Sequence, residues 1–241
     1  WVQINFTSFS DSLVWGELPI PFYLGNLTIN PAGALNVGAN TLRFSAGTSL
    51  TANGRVIANG TTFDPQSATN ARGQFGNVSF NAEATLNNCN FNRGTSLNFA
   101  GFGVKNVSNC VVNKFTNGVD VTGSGVTVNW TGGNITDCSR GIYNLGATVN
   151  LNATTISIID NEAIQTTGTA PVISLNGVTI SNVGTPIRMS AVASLLTSGN
   201  NQFLQLNTRK YIWVDGNFMN YPAYWGYMNI TYHMTSCMTI Q

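Results

Sequence analysis

Apolar side chains return along this chain with two periods at once. Within short stretches they alternate with polar ones every second residue, as from Val126 to Asn129 and from Thr148 to Asn152, and those stretches are rich in β-branched residues. Between stretches the pattern returns every 22 or 23 residues. Leu97, Val119, Ile142, Ile164 and Ile187 are separated by 22, 23, 22 and 23 positions. A second apolar column, Phe91, Val112, Ile135, Ile158 and Ile180, runs six or seven residues ahead of it, and a third comprises Val104, Val126, Val149 and Val172. Ser96, Gly118, Gly141, Ala163 and Pro186 precede the anchors, and polar or amphipathic Asn98, Asp120, Tyr143, Gln165 and Arg188 follow them. No segment holds a 3.6-residue apolar stripe over three turns, so helix is not predicted.

Three apolar columns per period mean three short strands per coil, with Gly, Asn, Asp and Ser as the turns between them. Such coils bury their apolar sides only by stacking, at ~4.8 Å per coil. The predicted fold is therefore all-β: a right-handed, single-stranded parallel β-helix of 22–23 residues per coil and about eight coils. The first third follows the scheme less regularly. Short alternating strands punctuated by Gly and Asn run from Tyr23 to Thr62, and DPQSATNARG, from Asp64 to Gly73, lacks alternation and reads as a loop between coils.

Composition sharpens this picture. Only 8% of the 241 residues are charged, ten basic and nine acidic, whereas 33 Asn, 28 Thr and 25 Gly make up over a third of the chain. Stacked coils set each outward residue against its own equivalent, where Asn and Thr can form ladders and like charges would repel. A net charge of +1 offers no field for nucleic acid, and no apolar run approaches the ~18 residues of a membrane span.

ITDCSRGI from Ile135, VNKFTNGV from Val112 and ISNVGTPI from Ile180 resemble the repeat unit of the right-handed parallel β-helix repeat family, found in secreted bacterial-type surface and adhesin-like proteins. The resemblance spans roughly residues 24 to 206. It implies the solenoid but no particular activity, because lyases, esterases, adhesins and structural proteins share it.

The ends carry a further pattern. WGELPIPFYLGNLTI, from Trp15, resembles WGYMNITYHMTSCMTI, from Trp225, and WVQINF, from Trp1, resembles WVDGNF, from Trp213. The expected organisation is a lead-in over residues 1–22, a solenoid module over 23–210, and over 211–241 the lead-in of a following repeat or a junction between modules or subunits. The chain begins at Trp1 without an initiator Met or signal peptide, as expected of a mature or excised portion of a longer polypeptide. Trp1, Trp15, Trp213, Tyr224 and Trp225 are the candidate junction aromatics, against a carbohydrate-stacking alternative for the Tyr211–Tyr232 cluster.

Candidate chemistry is sparse. Lys114, Asp137, Asp160 and Asn182 fall near one column, where a lyase would hold a cation and take a proton, but turn geometry explains Asn and Asp there. The single His233 aligns with Tyr23 and supports neither a triad nor a metal cluster. Cys89 and Cys110 occupy equivalent places on adjacent coils, as a disulfide or a buried thiol pair, and Cys237 has no evident partner. Sequons stand at Asn5, Asn26, Asn59, Asn77, Asn106, Asn129, Asn134, Asn152 and Asn229. Ice binding is not expected, because the column of Thr127 would continue with Asn150 and Ile173. The expectation is a non-enzymatic structural or adhesive module of an extracellular or cell-surface protein, repeated in tandem or joined head to tail, without cofactor or metal. The alternative is a carbohydrate-binding or lyase-type polysaccharide-degrading β-helix, for which loss of turnover in Asp137→Ala would be diagnostic.

Overall fold

The chain winds into a parallel β-solenoid of about 10 turns of roughly 22 residues. The structure, a computed structural model, describes residues 1–204, 206–216, 218–219, 223–226, 228–235 and 239–240, and among these there is no helix. Ten coils rather than eight give an axial length of ~48 Å. The two extra coils come from the irregular first third and from the ends. Residues 1–22 form the first coil, with Val2–Gln3 pairing onto Phe22–Leu24 and Ser12–Trp15 onto Ala34–Val37.

Each coil places a strand on three faces. A nine-stranded sheet from Ser12–Trp15 to Ser194–Ser198 forms the third face. The first and second faces merge into one 19-stranded sheet, because Thr155–Thr167 and Thr179–Ser190 each bend through the corner between them. The anchor column is as expected: Leu97, Val119, Ile142, Ile164 and Ile187 are paired in sequence. So is the crowding before it. A Cβ on Gly118 would stand 2.3 Å from the Gly141 carbonyl oxygen, and one on Gly141 2.3 Å from that of Ala163.

The other two columns are phased differently. On the first face Phe91, Val112 and Ile135 continue with Ile156, not Ile158, and then Ile180. Ile158 is half exposed at φ 56°, in a corner column of left-handed residues with Arg93, Lys114, Asp137 and Asn182. On the third face the inward column runs Ala84, Lys105, Val128, Val149 and Ile173. Val104 points outward beside Thr127, while Val126 pairs with Gly103 and Val172 with Thr148. Coil lengths of 21 to 24 residues cause both slips, since a fixed step of 22 or 23 drifts by one or two positions and turns a strand inside out.

The interior is a set of stacked layers. Phe44, Phe63 and Phe91 stack at 6.5 and 4.5 Å, and Phe75 packs on Phe44 at 4.9 Å. Val112, Ile135, Ile156 and Ile180 then continue the column of Phe63 and Phe91. At the corner from the third to the first face, Asn88, Asn109, Gly132, Ala153 and Gly177 adopt left-handed φ of 49–69°, which Asn and Gly tolerate best. The next residue points inward and donates to turn carbonyls: Cys89 to Asn87, Cys110 to Ser108, Thr154 to Asn152. Outside, amides form the expected ladders. Asn150 donates to Asn129 at 2.9 Å and Asn129 to Asn106 at 3.1 Å, with Asn176 on Asn152 and Asn81 on Asn53, so strand positions carry ladders as well as turns.

Candidate functional site

The loop expected from Asp64 to Gly73 is a strap. It leaves the strand Thr62–Pro65, runs along the corner between the first and second faces, and re-enters the core at fully buried Phe75. Four successive coils hold it. Arg93 donates to the Thr69 carbonyl and pairs with Asp64, both at 2.8 Å, and Lys114 donates to Asn70 at 2.7 Å. Arg72 meets Asp137 at 2.7 Å, lies 3.3 Å from Ser139 and ion-pairs with Asp160. That pairing holds the Asp160 carboxyl below its ordinary value, and the Arg72 guanidinium is correspondingly raised. The structure thus brings Lys114, Asp137 and Asp160 together, with Lys114 Nζ 3.9 Å from Asp137. Asp160 lies two residues beyond the left-handed corner rather than in it, and Arg72, 65 and 88 residues away in sequence, gathers the two acids. The alternation of the sequence held no sign of this contact.

A second concentration of polar groups lies on the second face. Its outward column begins Ser8, Thr28, Thr51, Ser79, Asn98 and continues Asp120, Tyr143, Gln165, Arg188, Trp213, His233. The Arg140 guanidinium lies 4.1 Å over the Tyr143 ring and pairs with Asp120 at 3.1 Å. Arg188 bridges Glu162 at 3.4 Å and Asp215 at 2.5 Å, which raises its pKa, and lies 5.6 Å from the Trp213 ring. Arg209 lies 4.2 Å over that ring, and Tyr211 and His233 sit 4.9 Å apart beside it. Thr51, Ser79, Asn98, Asp120, Arg140 and Tyr143 line a hollow of about 410 Å³. The sequence columns placed Asp120, Tyr143, Gln165 and Arg188 outward, but not the stacking of arginines on the aromatic rings.

The remaining candidates are dispersed. Cys89 and Cys110 are buried free thiols on adjacent coils, with the Cys89 amide donating to Cys110 Sγ at 3.3 Å. The Cys89 thiol is raised by its hydrogen bond with Cys110 and by burial, and burial pushes Cys138 up to about 11. Cys237 lies outside the described residues. Trp1 and Trp15 sit at one end of the solenoid, against Tyr23 and Phe22, and Trp225 at the other, stacked on Tyr232 at 5.5 Å, with Tyr224 exposed and Trp213 on the second face. The two matched stretches differ in phase: Val2 lies on the first face and Val214 on the second, as do Tyr23 and His233. Seven sequon asparagines are exposed; Asn77 and Asn129 are half-buried, and Asn129 spends its side-chain N–H on Asn106. Thr127 is paired with Thr148, which continues to Val172, so the true register still gives no unbroken Thr column.

One buried cation escaped the sequence pattern. Lys105, fully buried at an inward third-face position, donates to the carbonyls of Ala100 at 2.9 Å and Phe102 at 2.5 Å. Burial lowers its pKa to about 8, opposed in part by Glu83. Placing Val107 inward would have put Lys105 inward too. Among the described residues no group of His, Cys, Asp and Glu could hold a metal ion. No protein-family profile, curated protein or solved structure matches this chain.

Proposed function

We propose that the chain is a non-enzymatic, structural or adhesive solenoid module of a cell-surface protein, joined end to end with further coils from a tandem module or another subunit. One observation carries this reading. The first coil exposes Trp1, Phe6, Val14, Leu18 and Ile20, with Trp1 at 70% and Val14 at 74%, and its strand Ser12–Trp15 is the uncovered edge of the nine-stranded sheet. Native sheets normally guard such an edge with charge, Pro or a bulge, because it templates strand addition. Here Leu13, Val14 and Trp15 stand on it unguarded.

Charge favours the same geometry. Residues 1–42 carry two acids and no base, whereas residues 186–241 carry three bases, one acid and the single His. The two ends therefore attract rather than repel. Sedimentation velocity and negative-stain imaging over a wide concentration range test the reading. Growing rods are expected, and Val14→Lys with Leu18→Lys should abolish them without lowering the melting temperature. A compact monomer at every concentration would overturn it.

A further inference from the structure

We infer that a hollow at the corner between the second and third faces binds a free amino acid, held by both of its charges with its apolar side chain against Phe102. The hollow lies on the flank of the solenoid, away from both ends, so it stands apart from end-to-end assembly.

Three departures from the rest of the molecule converge there. The first is unpaired charge. From residue 55 to residue 188 every other acid is in an ion pair, and so is every other base except buried Lys105, but Arg55 and Glu83 are in none. They stand exposed on adjacent coils, one position ahead of the paired residues Val56 and Ala84. Opposite charges on rungs ~4.8 Å apart are expected to meet. Instead both line a hollow of about 500 Å³, and Glu83 reaches Lys105 only through space.

The second departure is Phe102, which lines the hollow while 69% exposed, and the third is Lys105 behind it. The buried ammonium donates to the carbonyls of Ala100 and Phe102 and so fixes their turn from inside. The turn also lies tight on the coil before it. A Cβ on Gly101 would stand 2.0 Å from the Asn81 carbonyl oxygen, and the Phe102 amide donates to that same oxygen at 3.3 Å. A ring presented on a turn held this firmly leaves little freedom to lose when a ligand covers it. A buried charge and an exposed aromatic ring on one turn are local conflicts of the kind that mark binding sites.

The lining then selects the ligand. Arg55 suits a carboxylate through its paired N–H donors, Glu83 suits an ammonium, and Phe102 with Pro31 suits an apolar body. The Asn53 and Asn81 side chains, also in the lining, are bonded to each other at 2.8 Å. A singly charged ligand would leave one of the two charges unmet, and a neutral one would leave both. An α-amino acid carries ammonium and carboxylate on one carbon, which lets them face neighbouring rungs while the side chain turns to the ring.

Titration of the isotope-labelled intact chain, followed by amide chemical shifts, tests the site with L-phenylalanine and three analogues. L-phenylalanine should shift the signals of Gly101 to Gly103 with a Kd of about 1 mM or tighter. N-acetyl-L-phenylalanine, which lacks the ammonium, L-phenylalanine amide, which lacks the carboxylate, and glycine, which lacks the ring, should each bind at least about fivefold more weakly. Arg55→Gln should weaken L-phenylalanine about fivefold and leave the amide unchanged, and Glu83→Gln should weaken it similarly and leave the N-acetyl analogue unchanged. Melting curves would confirm that both variants fold. No saturable shift up to about 20 mM, equal binding of any analogue, or full binding by either variant would each overturn the site, whatever the sedimentation result.

Discussion

Replacing Lys105 with Met should change stability in opposite directions at neutral and alkaline pH. From Leu13 to Leu195 every other coil places Leu, Val, Ala or Ile at this inward position, Trp225 pairs beyond Leu195, and among the described residues only here does an ammonium enter the core. Its folded pKa of about 8 lies below the ordinary 10.5, so the folded state gives up its proton before the unfolded state does. Between those values the unfolded chain holds the extra proton, and stability rises with pH. Below about 8 both states are charged, and the folded one carries a strain of about 3 kcal/mol, the shift converted at 1.36 kcal/mol per unit. Methionine removes the strain but gives up two carbonyl hydrogen bonds, about 1 kcal/mol each. Water can satisfy the freed Phe102 carbonyl, since that residue is 69% exposed. The variant should therefore be more stable than the parent by about 1 kcal/mol near pH 7. By about pH 9.5 the parent recovers about 2 kcal/mol and the order reverses. Tyr232, raised to about 12 by burial, titrates alike in both proteins and cancels. Urea unfolding followed through the fluorescence of buried Trp130 would read the gap. A gap that stays constant between those pH values would refute the assignment of Lys105 as a strained buried cation.

Other outcomes follow from the corners, the strap and the ladder. Ile158→Asn should stabilise the fold by about 1 kcal/mol in thermal or urea unfolding, because a half-exposed β-branched residue leaves a left-handed corner and Asn182 shows the alternative. Arg72→Met should destabilise by about 1 kcal/mol at low salt and less at high salt. The Asp160 carboxyl is depressed, so its contribution is present above the ordinary carboxylate value and lost as pH falls through the folded value; the difference between parent and Asp160→Asn should vanish in acid. Asn129→Ala should cost about 1–2 kcal/mol, as it removes one rung and two amide bonds from the ladder on the third face.

The solenoid was legible from Leu97 to Ile187 because those anchors are apolar in every coil and nearly evenly spaced. Phase within a coil was not. Ile156 and Ile158 are both apolar and two residues apart, and alternation cannot choose between them; a left-handed corner two residues beyond each column residue does, but φ is invisible in a sequence. At Lys105 the charge itself argued for an outward placement, and only Val107 spoke against it. The second-face strip was half legible, since position after each anchor predicted which side chains face out. What each arginine stacks on depends on turns of unequal length. The strap was legible as a loop and illegible as a clamp, because Arg72 finds its acids three and four coils away.

That clamp has a mechanical consequence. In a plain solenoid each coil touches only its neighbours, so unwinding can start at an end and pass from coil to coil. The strap links the coils of Arg93, Lys114, Asp137 and Asp160 through one stretch of backbone plugged by Phe75. Pulled along the axis, coils outside residues 64–160 can peel one at a time, whereas those within must yield as a block. The middle of the solenoid is its shear pin, and coils outside it can fray without loosening it.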